Sequence, residues 1–142
     1  MVEIRNYNSD DYEQVADLYK QSDLYGGEFD NARDSKNRLQ ELTKNKPDSI
    51  LVAELNNEIM GTVTLFEHGR SAWLYRFAVK NGQHEDMTTV ELWNNAKEIL
   101  KQKGHTQVLV YAPVGEKKFE DRYTRLDFKK GNEFTAFWQD IV

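Results

Sequence analysis

Apolar residues recur along this chain with two different periods. Within 49–55, 58–66 and 71–79 they fall mostly at every second position or closer, with polar breaks between, and from Thr88 to Lys103 they return every three or four. Ser49 to Leu55 (SILVAEL) and Glu58 to Phe66 (EIMGTVTLF) read as strands around the turn Asn56-Asn57, so they predict a β-hairpin. Ser71 to Val79 (SAWLYRFAV) is apolar on both parities, which predicts a central strand covered on both faces. Thr88 to Lys103 predicts a helix, with Thr88-Thr89-Val90-Glu91 as a capping box and Gly104 as its C-cap. Thr106 to Ala112 (TQVLVYA) is a strand again. Strand, helix, strand at this spacing predicts a right-handed crossover and a parallel pair.

The flanks are less regular. Val2 to Tyr7 alternates and predicts a first strand. Ser9-Asp10-Asp11 is an N-cap with acids in the first turn, followed by Tyr12, Val15, Ala16, Leu18 and Tyr19 at helical spacing to about Ser22. Asp23 to Asp30 is a loop, and Asn31 to Lys44 a polar surface helix stopped by Pro47 and Asp48. Gly115 to Leu126 predicts a short helix. Phe128 to Lys130 and Glu133 to Asp140 predict two closing strands joined at Gly131-Asn132. The expected class is α+β: a mixed, mostly antiparallel sheet of six to seven strands with about four helices, in a single domain over residues 1–142.

Composition narrows what such a domain does. The chain has 142 residues, 12% of them aromatic and 30% charged, and a formal net charge of −5. A nucleic-acid binder needs a basic face, whereas Lys117-Lys118 and Lys129-Lys130 are the only dense basic spots and both have acids nearby. The absence of cysteine excludes disulfides and thiol catalysis and fits a reducing compartment. His68, His84 and His105 have no ligand spacing, so no metal is expected. No apolar run approaches the roughly 20 residues of a membrane span, and a cytoplasmic protein is expected.

With these elements in order, the chain resembles the GNAT (Gcn5-related N-acetyltransferase) superfamily. SILVAELNNEIMGTVTL is similar to that family's central hairpin, with Gly61 after the apolar run of the second strand. WLYRFAV, ending in Phe77-Ala78-Val79, resembles its fourth strand. Tyr123-Thr124-Arg125-Leu126-Asp127-Phe128 resembles Tyr-x-x-Leu-Gly-Phe, with Asp127 in the glycine's place. The likeness spans nearly the whole chain and implies a GNAT-like fold, acetyl-CoA as cosubstrate and a small-molecule or peptide amine as acceptor.

The departure lies between Val79 and Trp93. In the family an Arg/Gln-x-x-Gly-x-Gly/Ala loop wraps the coenzyme pyrophosphate. Read without gaps, the arginine position falls on His84 and the glycine positions on Glu85, Met87 and Thr89, so the loop is degenerate. Glycines let backbone N–H groups approach phosphate at a helix start, whereas Glu85 and Asp86 place negative charge there. At about 5 Å each repulsion is on the order of 1 to 3 kcal/mol.

The resemblance implies cofactor contacts at Phe77, Val79, His84, Met87, Thr88 and Thr89, with the Val79 N–H polarising the thioester carbonyl. It makes Tyr123 the acid that protonates the coenzyme A thiolate; the same tyrosine could equally be packing on a short helix. The positions of the family's Asn-x-x-Ala hold Glu116 and Phe119. Tyr25 and Phe29, around Gly26-Gly27, occupy the acceptor-binding segment or cover the core edge. Tyr75, alternating with Trp73 and Phe77, lines the acceptor cleft or is one face of a central strand. Neither Glu54 nor Glu67 is singled out as general base. Two readings follow: a divergent N-acetyltransferase, or a non-catalytic module on the same scaffold, pairing through an exposed strand edge with a partner or with a second copy as a homodimer.

Overall fold

A computed structural model describes every residue except Gly26, in two compact units, Met1–Tyr111 and Ala112–Val142. The first unit is a five-stranded sheet in sequence order: β1 (Glu3–Asn6), β2 (Ile50–Leu55), β3 (Glu58–His68), β4 (Ser71–Val79) and β5 (Leu109–Val110). The first three pairings are antiparallel; β4 and β5 are parallel, as a crossover requires. Asn56 and Asn57 both take positive φ, 51° and 65°, the backbone that a two-residue hairpin turn needs.

Helices α1 (Tyr12–Tyr19) and α2 (Lys36–Asn45) precede β2, and α3 (Glu85–Gln102) is the crossover between β4 and β5. A short 3-10 turn, Ser9–Asp11, leads into α1, and its cap is Asn8, which exchanges hydrogen bonds with Asp11. α2 begins five residues later than the sequence predicts, because Ser35 caps it by accepting from the Arg38 N–H at 3.2 Å. α3 begins three residues earlier than predicted. Its N-cap is His84, so Thr88 lies inside the helix and the expected Thr-x-x-Glu capping box is not made. Gly104 does close α3, at φ 90°.

Two layers cover the sheet. On one face Val15, Leu18 and Tyr19 of α1, with Leu24 and Leu39, pack on Ile50, Val52, Ile59 and Ala78. On the other, α3 lies close enough that a Cβ on Gly61 would meet Thr88 Cγ2 at 2.9 Å and Leu92 Cδ1 at 3.1 Å. That approach is the physical reason for a glycine within β3.

The second unit holds α4 (Lys117–Arg125), with Phe119, Arg122 and Tyr123 on its buried side. The stretch resembling Tyr-x-x-Leu-Gly-Phe is the C-cap of α4. Asp127 takes φ 66°, its N–H donates to the Thr124 carbonyl at 3.1 Å, and the Phe128 N–H donates to the Tyr123 carbonyl at 2.9 Å. The Tyr123 and Phe128 rings meet edge to face, 5.6 Å between centroids. This is a Schellman motif with its hydrophobic contact, and the left-handed residue it needs is usually glycine.

Two strand expectations are corrected. Residues 128–142 form no strand, so the described sheet has five strands rather than six or seven. β5 spans two residues rather than the seven of Thr106–Ala112, and none of the seven is fully buried. Apolar alternation marks both stretches as able to form strands, but a strand also needs a neighbour, which a local pattern cannot supply.

Candidate functional site: the parted edge of β4 and the start of α3

β4 changes face partway along. Thr64 pairs with Tyr75 and Thr62 with Ala78, so Val63 faces two residues, Arg76 and Phe77, in a β-bulge. By register Trp73, Tyr75 and Ala78 share the α1 face, and Phe77 turns to the α3 face. The predicted alternation of Trp73, Tyr75 and Phe77 is therefore broken. Phe77 is 2% exposed, whereas Tyr75 is 46% exposed. Coverage on both faces holds only for the end of the strand from Phe77 to Val79.

The bulge places Arg76 at φ 47°, a strained conformation for a side-chain-bearing residue. Three contacts hold it there. Its Nη2 lies 2.7 Å from Asp34 Oδ1, and its guanidinium sits 5.3 Å from the Tyr19 ring centroid and 5.8 Å from that of Tyr25. Asp34 is buried; its other oxygen accepts the Asp30 N–H at 2.9 Å. The segment predicted to meet the acceptor is thus tied to β4 through Tyr25, Asp30 and Asp34. Phe29 is half-buried against the α1 core, with Lys20 Nζ 5.1 Å above its ring. Gly26 lies outside the described residues. Burial raises the Tyr25 phenol above its ordinary range, with Arg76 pulling the other way. Arg76 and Asp34 are absent from the sequence-predicted site. The one hint is an arginine set in the apolar run WLYRFAV.

Beyond Leu74, β4 and β5 part: the ladder between them is Trp73 with Leu109 and Leu74 with Val110. On its other edge β4 stays paired with β3 to the end, where the Lys80 N–H donates to the Met60 carbonyl at 2.9 Å. Antiparallel ladders alternate, so the Val79 N–H points away from β3, into the edge that β5 leaves. β4 therefore ends with the Val79 N–H on the edge where β5 makes no ladder, five residues before α3 begins.

The start of α3 has mixed electrostatics. The His84 side chain makes no capping hydrogen bond, and its Nε2 lies 3.3 Å from Gln83 Nε2. Gly82, at φ 133°, provides one permissive backbone position in the connection. Glu85 and Asp86 occupy the first turn, as the sequence predicts. Lys80, which could offset them, forms an ion pair with Glu58. Met87 is half-buried. Thr88 and Thr89 are buried against the sheet side, and Thr89 Oγ1 donates to the Glu85 carbonyl at 2.8 Å.

Tyr123 belongs to the second unit and is 8% exposed. Burial raises its phenol above the ordinary value, and Arg122 opposes the shift. Among the described residues no group of three or more His, Asp or Glu side chains is gathered as a metal site. Among the same residues no helix is long and apolar enough to cross a membrane.

An antiparallel meander, a crossover helix, and a parallel edge strand that parts from its neighbour at the helix start define a mixed α+β scaffold. Solved structures agree over nearly the whole chain. AAC(6')-Iy in complex with the bisubstrate analog CoA-S-monomethyl-acetylneamine is 14% identical, with a TM-score of 0.77, covering 99% of each chain. Ard1 from Thermoplasma volcanium is 15% identical with a TM-score of 0.75, covering 92% of this chain and 84% of that one. The PaiA N-acetyltransferase from Thermoplasma acidophilum, in complex with coenzyme A, is 20% identical with a TM-score of 0.71, covering 88% of each. No protein-family model and no curated protein matches the sequence. The chain has the fold of the GNAT superfamily, carried by a divergent sequence.

Proposed function

We propose that the protein is an N-acetyltransferase that moves acetyl from acetyl-CoA to an amine, the whole chain acting as one GNAT-like domain. The observation that carries this reading is the parted edge of β4, where the Val79 N–H lies on the side without a β5 ladder, before the uncapped start of α3. An amine nitrogen attacks the thioester carbonyl carbon, and the Val79 N–H stabilises the developing oxyanion. The carbon–sulfur bond then breaks. Tyr123 gives its proton to the departing thiolate, a role suited to a phenol whose pKa burial keeps high. The amine releases its own proton to water. The backbone at the first turn of α3, from His84 to Met87, receives the pyrophosphate, with Phe77, Met87, Thr88 and Thr89 lining the approach; the Thr88 N–H itself is taken by the His84 carbonyl. Tyr25, Phe29 and Tyr75 flank the acceptor, a small molecule or a peptide amine. The reaction needs no metal, and we place it in the cytoplasm.

Glu85 and Asp86, together with the ion pair that occupies Lys80, support a second reading: a GNAT scaffold that has lost its coenzyme. Calorimetry with acetyl-CoA separates the two. Micromolar binding by the wild type supports the enzyme, and Tyr123→Phe should then lower kcat with little change in coenzyme affinity. No binding by the wild type, with binding gained in Glu85→Gly/Met87→Gly, supports the lost-coenzyme reading. Failure of both proteins to bind refutes the coenzyme site itself.

A further inference from the structure

We infer that Arg76 and Tyr25 form an anion subsite that holds the carboxylate of an ω-amino acid acceptor, whose amine reaches the Val79 edge of β4. The amine end rests on the acetyl-transfer reading above; the carboxylate end does not.

A guanidinium carries several N–H donors in a planar fork that matches a carboxylate. Arg76 uses little of that capacity. Its Nη2 meets Asp34 Oδ1 at 2.7 Å, and no other oxygen among the described residues accepts from it. The Tyr19 and Tyr25 rings, 5.3 and 5.8 Å away, stabilise the cation through their π faces. Most of its N–H groups therefore lack an acceptor, and the side chain is 27% exposed, within reach of a solute. Tyr25 shows a matching lack. Its phenol oxygen is shut off from water and has no hydrogen-bond partner among the described residues. Such a group in a folded protein needs a reason. Burial keeps the phenol protonated at neutral pH, so it is a donor. One carboxylate bonded to the Arg76 fork and to the Tyr25 hydroxyl completes both.

Net charge does not select this ligand. Asp34 neutralises Arg76, and Glu28 stands close enough to Tyr25 to act on its phenol. Recognition depends on directed N–H and O–H donors, which favours a planar carboxylate over a loosely held anion. Distance sets the length of the acceptor. Arg76 stands three residues before Val79 on β4, up to roughly 10 Å of strand. An α-amino acid, whose amine and carboxylate share a carbon, is too short to occupy both places. A chain with several carbons between the two groups spans them. A free ω-amino acid and a peptide ending in lysine both present that arrangement.

The carboxylate end is tested without coenzyme. Calorimetry at millimolar concentration should show binding of caproate and of ε-aminocaproate, and none of hexylamine. Tyr25→Phe removes an unsatisfied hydroxyl and keeps the ring, so its thermal midpoint should hold or rise while caproate binding weakens at least fivefold. A merely structural tyrosine would lose stability and leave caproate binding alone. Arg76→Lys keeps the charge without the fork and should weaken caproate at least tenfold. With acetyl-CoA present, kcat/KM for ε-aminocaproate should exceed that for hexylamine at least tenfold. A higher value for a peptide ending in lysine assigns the peptide as the source of the carboxylate, and a lower one assigns the free amino acid. Caproate binding with no acetyl transfer to any amine refutes the transfer reading and upholds the anion subsite. No caproate binding by the wild type, equal binding by Tyr25→Phe, or hexylamine acetylated as well as ε-aminocaproate overturns the proposal.

Discussion

Arg76 Nη2 lies 2.7 Å from Asp34 Oδ1, and this pair fastens the α1–α2 connection to the bulge of β4. Asp34 is buried, so removing its charge leaves the guanidinium facing an uncharged partner within a strained stretch of backbone. Asp34→Asn should cost about 2 to 3 kcal/mol, below the usual figure for a fully buried pair because Arg76 keeps some access to water. Urea unfolding reads the loss. Limited proteolysis between Tyr25 and Arg33 should quicken in the same variant, and an unchanged midpoint would show that the pair is not what holds the connection.

Asp127→Gly should stabilise the protein by up to about 1 kcal/mol, because the residue sits at φ 66° in the C-cap of α4. Asp127→Ala should give no such gain, since alanine keeps the Cβ penalty. A higher thermal midpoint for glycine than for alanine checks the assignment.

Gly61→Ala should destabilise by about 1 to 3 kcal/mol, since the new methyl would lie 2.9 Å from Thr88 Cγ2. Adding Thr88→Ser removes that methyl, so the double variant should recover part of the loss. Strict additivity of the two changes would refute the contact.

Glu67 gives a pH dependence with a definite sign. His105 Nε2 lies 3.0 Å from one of its oxygens, and Lys46 and Lys103 stand by the other. The hydrogen bond to His105, then that to Lys46, lower the carboxyl from its usual 4.5 to about 2. A carboxylate depressed on folding stabilises above its unfolded pKa, and that contribution is lost as pH falls from about 4.5 towards 2. The group lies near the surface, so the effect should be about 1 kcal/mol or less. The stability difference between wild type and Glu67→Gln should shrink as pH falls below about 4.5. A difference unchanged at pH 3 would rule the cluster out.

What could be read in advance follows from the range of each interaction. The hairpin, the β4 strand and the α3 crossover were legible because Asn56-Asn57, the apolar periodicity and Gly104 act within a few residues. The acids at the start of α3 were legible for the same reason. Three features were not. The start of α3 depends on the chain leaving β4 at Val79, which made His84 the cap in preference to Thr88. The bulge at Arg76 and Phe77 depends on Asp34, more than forty positions away, and on the Tyr19 and Tyr25 rings. The stretches 128–130 and 133–140 have the composition of strands, but pairing lies outside any local pattern. Tyr123 stands between these cases: its place in a helix C-cap follows from Leu126, Asp127 and Phe128, while its chemistry does not.

The bulge also separates the length of β4 from the faces that its residues take. Counted back from Val79, each residue is assigned to the α1 or the α3 layer by its distance in the chain, and the extra residue at Arg76–Phe77 reverses that count once. Deleting either residue would leave a strand one shorter that still pairs with β3. Trp73 and Tyr75 would stay on the α1 face and Ala72 and Leu74 under α3, because the shorter count alternates regularly back from Val79. What the loss of Arg76 removes is the left-handed residue and its hold on Asp34, Tyr19 and Tyr25.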